Sequence, residues 1–131
     1  MIHLGSIAIR GDDSVLEARR KIRAVAEHLA HDAVTATRLA TLTSEIVRLY
    51  VQQGNGSRLD VACDAQHNGT WMLLDFHDPE TAPDVEHLAG FCDRIERLPR
   101  GRDGRCQRVA VWLDTALPPH GNRIAELKSI V

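Results

Sequence analysis

The chain has 131 residues, of which 44% are apolar and 26% are charged, and its formal net charge is -2. A chain of this length can bury one core of its own, and the composition is typical of a globular domain. The nearly balanced charge excludes a bulk attraction to nucleic acid or anionic lipid. No apolar run approaches the ~20 residues that span a bilayer, and no signal-like segment opens the sequence. We therefore expect a cytoplasmic protein.

Three cysteines are scattered through the sequence, at Cys63, Cys92 and Cys106. An odd number without a CxxC pair or a Cys/His cluster fits neither a disulfide framework nor a metal site. We expect the three cysteines to behave as small, buried, apolar side chains in a reducing compartment, and we expect no bound metal.

A strand and an amphipathic helix are predicted at the start of the chain. Residues 2–10 predict the strand, with Ile7 and Ile9 on one side. Ser14 and Glu17 have the spacing of a capping box and predict the helix start. Apolar residues then recur at helical spacing, which predicts one buried face: Ala18, Ile22, Val25 and Leu29.

A second helix and a hairpin are predicted next. Residues 33–53 carry an apolar stripe that widens toward its end, and residues 54–56, Gly-Asn-Gly, supply a left-handed stop. Residues 58–65 alternate between apolar and polar side chains, as do residues 71–77. Because Asn68-Gly69 is a strong hairpin signal, we expect these two strands to pair antiparallel.

The last part of the sequence predicts a third helix, a final strand and a tail. The helix is predicted for residues 83–98, since Val85, Leu88, Cys92 and Ile95 recur at helical spacing. Residues 108–114 predict the strand, and residues 122–131 a short helix that packs on the sheet or serves a partner. The order β-α-α-β-β-α-β predicts an α+β two-layer sandwich, a mixed sheet with helices on one face. We assign residues 1–117 to the domain and 118–131 to the tail.

This order and four local motifs resemble the GHKL nucleotide-binding (Bergerat) fold, in particular the bacterial anti-sigma-factor serine kinases. The resemblance covers about residues 2–114. Its motifs are Asp12–Arg20 with an Ala-Arg pair, Thr43–Leu49, Asp75–Pro79, and the segment from Phe91 to Leu113.

The resemblance implies an ATP site whose residues are only partly present. Glu45 matches the family's glutamate, which orients or deprotonates the group that attacks the γ-phosphate. Leu49 stands where the family has an asparagine that holds Mg²⁺. Leucine offers no oxygen to a hard cation. Asp78 matches the aspartate that contacts adenine, whereas Glu80 and Ala82 replace two glycines, and the glycine-rich ATP lid is missing. We expect ATP binding to be lost and no cofactor to be bound.

Arginines crowd residues 94–108, with Asp93, Glu96 and Asp103 interleaved. A solvated mixed-charge face is one interpretation. The other is a docking patch for an acidic or phosphorylated protein, formed by Arg94, Arg97, Arg102 and Arg105.

The sequence therefore predicts a non-catalytic partner-switching regulator. By the resemblance, its partners are a STAS-domain antagonist, a sigma factor, a SpoIIE-type phosphatase or a second copy of the chain. The alternative is an active ATP-dependent serine/threonine kinase that phosphorylates a STAS-domain protein, with Glu45 as catalytic base and ATP and Mg²⁺ bound.

Overall fold

Two long helices pack against one face of a five-stranded sheet. The computed structural model describes residues 1–30, 32–54, 56–78, 82–98, 106–114 and 121–131. In chain order these residues form β1 (Ile2–Ile9), α1 (Asp12–Ala30), α2 (Ala33–Gln53), β2 (Ser57–Gln66), β3 (Gly69–His77), a 3₁₀ helix (Glu86–Phe91), β4 (Arg94–Leu98), β5 (Cys106–Leu113) and α3 (Gly121–Ile130). The predicted α+β class with helices against a sheet is confirmed.

The sheet has the strand order β1-β2-β3-β5-β4, and every neighbouring pair in it is antiparallel. The prediction of a mixed sheet is wrong. The connection between β1 and β2 contains two helices that run in opposite directions. The chain therefore returns to the end of the sheet where β1 finished, and β2 has to run antiparallel to β1.

Side-chain and glycine caps bound α2, and a serine hydroxyl accepts a backbone hydrogen bond at the start of α1. α1 starts at Asp12, earlier than the capping-box spacing indicated, and Ser14 Oγ accepts a hydrogen bond from the Arg10 N–H at 3.0 Å. Asp32 caps α2 by accepting from the Val34 N–H at 2.9 Å. α2 ends at Gly54, whose φ of 74° is the left-handed value that glycine adopts without strain.

The core lies between the helices and the inner face of the sheet. The predicted apolar faces are confirmed, because Ile22 of α1, Ile46 of α2 and Phe76 of β3 are each fully buried. Cys63 and Cys106 are buried as expected, and Cys92 is partly buried. Burial raises the pKa of the Cys63 thiol, which keeps it protonated and unreactive.

The helix predicted for residues 83–98 is wrong. Residues 86–91 form a 3₁₀ helix, and residues 94–98 form β4 at the edge of the sheet. Val85 and Leu88 are buried and Ile95 packs against the core, so the apolar residues do face inward. The segment from β3 to β4 returns the chain to the opposite end of the sheet, and β4 then pairs with β5.

The tail forms a helix that packs against the domain. α3 contacts α1 and β1, and Leu127 is fully buried there. Lys21 Nζ donates to the Val131 carbonyl at 3.0 Å. Within the residues that the structure describes, no helix is long and apolar enough to cross a membrane.

Candidate functional site

A buried polar cluster lies where the end of α2 meets the end of β3 and the start of β5. Tyr50 is 2% exposed, and its ring stacks on Phe76 with centroids 5.2 Å apart and planes 14° apart. Its hydroxyl donates a hydrogen bond to Gln107 Oε1 at 3.0 Å. Asp78, at the end of β3, is 3% exposed. We call these four residues, Tyr50, Phe76, Asp78 and Gln107, together with the exposed Arg97 that pairs with Gln107 across the sheet, the Tyr50 cluster.

The charges of two predicted site residues affect the pKa of this tyrosine. Burial raises the pKa of Tyr50 far above its usual value, and the negative charge of Asp78 raises it further. The positive charge of Arg97 acts in the opposite direction. The charges of Asp78, which follows β3, and of Arg97, in β4, therefore both act on the same phenol. No sequence motif connects Asp78 or Arg97 with Tyr50. In the sequence, Tyr50 is simply one of the residues of the apolar stripe of α2.

Glu45 lies apart from this cluster, on the solvent side of α2. Its carboxylate accepts from Arg48 Nη1 at 2.6 Å, and the two side chains are 48% and 49% exposed. Leu49 is partly buried and packs against the core. Position 49 therefore contributes packing, and the Glu45 carboxylate is held by a neighbouring arginine in the same helix.

The proposed arginine patch is divided by the sheet. Arg94 and Arg97 are three positions apart on β4 and therefore point to opposite faces. Arg94 lies over the Trp71 ring at 4.9 Å from its centroid, on the face away from the helices, and its Nη1 is 3.5 Å from Glu96 Oε1. Arg102 and Arg105 lie outside the described residues.

The face of the sheet away from the helices carries a row of polar side chains that the sequence prediction missed. One residue from each strand lies next to its neighbour across the sheet: Ser6, Asp60, Asp75, Arg108 and Glu96. We call these five residues the polar row. Polar alternation along the predicted strands signals a polar face, but the sequence alone does not specify which residues become neighbours across the sheet.

Hydrogen bonds hold the Asp60 carboxylate within the polar row. Ser6 Oγ donates to Asp60 Oδ1 at 2.6 Å, and Arg58 Nε donates to the same oxygen at 2.9 Å. His77 Nε2 lies 2.9 Å from Asp60 Oδ2. Burial alone would raise the pKa of Asp60, but the hydrogen bonds from Ser6 and Arg58 and the charges of Arg58 and His77 together lower it.

Two tryptophans lie on the same face beside the polar row. The Trp71 and Trp112 rings meet edge to face with centroids 5.1 Å apart and planes at 66°. Trp71 packs on a small apolar group made of Ala62, Leu73 and Ala110. The outer face of the sheet therefore combines an aromatic corner with fixed charges.

No family model matches this chain, and no curated protein sequence is significantly similar to it.

Proposed function

We propose that the chain is a non-catalytic partner-switching regulator, a GHKL-like scaffold that acts by binding other proteins. The observation that carries this proposal is the placement of the residues around Glu45. Leu49 packs on the core where the resemblance requires an oxygen ligand for Mg²⁺. The Glu45 carboxylate is paired with Arg48, an interaction that competes with a role as catalytic base.

An accessible sheet edge supports the protein-binding part of the proposal. Among the described residues, β4 lies at the edge of the sheet and pairs only with β5. An edge strand can accept an extended segment of a partner through backbone hydrogen bonds. Its Arg94 and Glu96 side chains flank that edge on the outer face and offer charge for selecting a partner.

The resemblance then supplies the partner classes: a STAS-domain antagonist, a sigma factor, a SpoIIE-type phosphatase or a second copy of the chain. Arginines suit carboxylate and phosphate groups because their N–H groups match both oxygens of such groups. We therefore favour a partner with acidic or phosphorylated residues beside its docking segment.

Calorimetric titration with a non-hydrolysable ATP analogue and Mg²⁺ tests the non-catalytic part. We expect no saturable heat in the wild type or in Glu45→Ala. Micromolar binding that requires Mg²⁺ in the wild type would overturn this part.

Capture of a purified STAS-domain protein or sigma factor tests the protein-binding part. Arg94→Glu should weaken capture, since it reverses a charge beside the β4 edge. Lys128→Glu, an equal charge reversal on exposed α3, is the matched control and should leave capture unchanged. Equal loss in both variants would mean that the β4 edge is not the contact.

The alternative, an active ATP-dependent serine/threonine kinase, has one observation in its favour. Asp78, which matches the adenine-contacting aspartate, is buried beside Tyr50 and Arg97 as part of a built polar cluster. Phosphate transfer to a STAS-domain protein that is abolished by Glu45→Ala would support this alternative. We expect no transfer.

A further inference from the structure

A cavity lies near the start of α2, at the opposite end of this helix from Tyr50. It has a volume of about 230 Å³ and opens to solvent between the first turns of α2, the end of the 3₁₀ helix and β5. Its wall includes Thr35, Arg38, Phe91, Asp93 and Trp112. The volume is below the ~300 Å³ at which pockets for drug-sized ligands begin, so it suits only a small molecule.

Two opposite charges line this cavity without neutralising each other. Arg38 makes no ion pair or hydrogen bond with any described residue. Asp93 Oδ2 accepts from the Trp112 N–H at 2.7 Å, and its other oxygen has no donor among the described residues. A ligand that carries both an anionic and a cationic group can satisfy Arg38 and Asp93 together, whereas a simple anion would meet repulsion from Asp93.

The rim of the cavity also offers apolar surface. Phe91 is 56% exposed, which is unusual for a phenyl ring in a folded domain. Leu39 and Val111 complete an apolar part of the wall. An apolar group on the ligand would cover the Phe91 ring and remove it from water.

We propose that this cavity binds a small zwitterion, a free α-amino acid with an apolar side chain. The Arg38 guanidinium pairs with its carboxylate, the Asp93 carboxylate pairs with its ammonium group, and Phe91 covers its side chain. The cavity adjoins the start of β4, since Asp93 directly precedes Arg94, and it would give the domain a small-molecule input next to the proposed protein-binding edge.

Titration of the isotope-labelled full chain by NMR tests this proposal with three probes of matched shape. The probes are leucine, 4-methylpentanoate, which lacks the ammonium group, and 3-methylbutylamine, which lacks the carboxylate. We expect saturable leucine shifts centred on Phe91 and Trp112, and at least about tenfold weaker binding of both analogues. No saturable shifts with leucine, or equal binding of all three probes, would overturn the proposal.

Two variants assign the charges separately. Arg38→Gln should weaken leucine about tenfold and leave the amine unchanged, and Asp93→Asn should weaken leucine and leave the acid unchanged. The asparagine oxygen still accepts from the Trp112 N–H, so Asp93→Asn keeps that contact. Arg48→Gln, farther along α2 and outside this cavity, is the matched control and should bind leucine like the wild type. Wild-type leucine affinity in Arg38→Gln would contradict the proposal.

Discussion

Arg108 of β5 forms a bidentate ion pair with Asp75, its direct neighbour on the adjacent strand β3. The Nε–Oδ1 distance is 2.7 Å and the Nη2–Oδ2 distance is 3.0 Å. The side chains are only 17% and 5% exposed, although none of the described helices covers this face of the sheet. The planar guanidinium fits both carboxylate oxygens, which fixes the register of the two strands as well as adding stability.

Removing the carboxylate from this pair should destabilise the protein. Asp75→Ala leaves Arg108 largely buried without its counter-charge, and we expect the free energy of unfolding to fall by about 2–3 kcal/mol. Urea denaturation measures the change. Asp64→Ala is the matched control, because Asp64 lies on the neighbouring strand at 40% exposure, and its ion pair among the described residues is with the terminal ammonium group, at 3.6 Å. A loss no larger than that of the control would mean that the Arg108 pair is not stabilising.

Asp60 should make the stability of the fold sensitive to acid. Its pKa is lowered below the ordinary 3.8 in the folded state, so its stabilisation is present above that ordinary pKa. This stabilisation is lost as the pH falls through the lowered folded-state pKa. We therefore expect Asp60→Asn to be less stable than the wild type at neutral pH, with the difference shrinking in acid.

Denaturation curves recorded from neutral pH down to acid measure this difference. Asp64→Asn, on the same strand and the same face, controls for a general loss of surface charge. An Asp60→Asn deficit that stays constant across the whole pH range would contradict the assignment.

Tyr50 should resist ionisation until the protein unfolds. It is the only tyrosine in the chain, so the tyrosinate absorbance reports on it alone. Its folded pKa is raised by burial and by Asp78. The resulting stabilisation is present below the ordinary pKa of ~10 and is lost as the pH rises toward the raised value. We expect tyrosinate absorbance to appear together with loss of the far-ultraviolet circular dichroism.

Tyr50→Phe provides the control for this titration. It should abolish the absorbance change and cost about 1–2 kcal/mol, because Gln107 loses its buried hydrogen-bond donor. A wild-type absorbance change centred at the ordinary tyrosine pKa, with the circular dichroism intact, would show that the hydroxyl is accessible.

Gly69 should tolerate no side chain. It opens β3 after the two-residue loop His67-Asn68, and a Cβ there would lie 2.6 Å from the Leu113 carbonyl oxygen and collide with the Trp112 ring. We expect Gly69→Ala to lower the free energy of unfolding by about 2–3 kcal/mol. Gly90→Ala is the control, since nothing lies within 4 Å of a Cβ at that position. Thermal denaturation compares them, and equal melting temperatures would contradict the close approach.

Local patterns predicted most of the elements correctly. The helical stripe of α1, the stripe and glycine stop of α2, and the alternation in β2 and β3 each depend on residues close in sequence. The Asn68-Gly69 signal also predicted the hairpin, although the loop residues are His67 and Asn68. These local patterns are reliable because a helix or strand that buries one face has its apolar residues at the spacing that the sequence already shows.

Residues 83–98 were mispredicted because their pattern fits two structures. Val85, Leu88 and Ile95 have helical spacing, yet Ile95 also alternates with charged neighbours as a strand residue does. Pairing of Ile95 with Val109 of β5 decides between the two structures, and that contact is not visible in either segment alone.

The Tyr50 cluster and the polar row could not be predicted from the sequence for a similar reason, since both depend on contacts between strands. The Tyr50 hydroxyl finds its acceptor on Gln107, a residue of a different strand. Asp75 finds Arg108 through the register of β3 and β5. Individual residues such as Asp78 could be selected from a motif, but their neighbours depend on the strand order.

The pairing of β1 with residues 57–63 sets an order on folding. β1 leaves the ribosome before β2, and its pairing with β2 requires that the two intervening helices, α1 and α2, have been made first. The contacts between α1 and α2 are closer in sequence, so this helical hairpin can assemble first and the sheet can close onto it. During synthesis the strand Ile2–Ile9 therefore remains unpaired until β2 has been made. Slowing translation before β2 should lengthen the time in which this strand can associate with other chains.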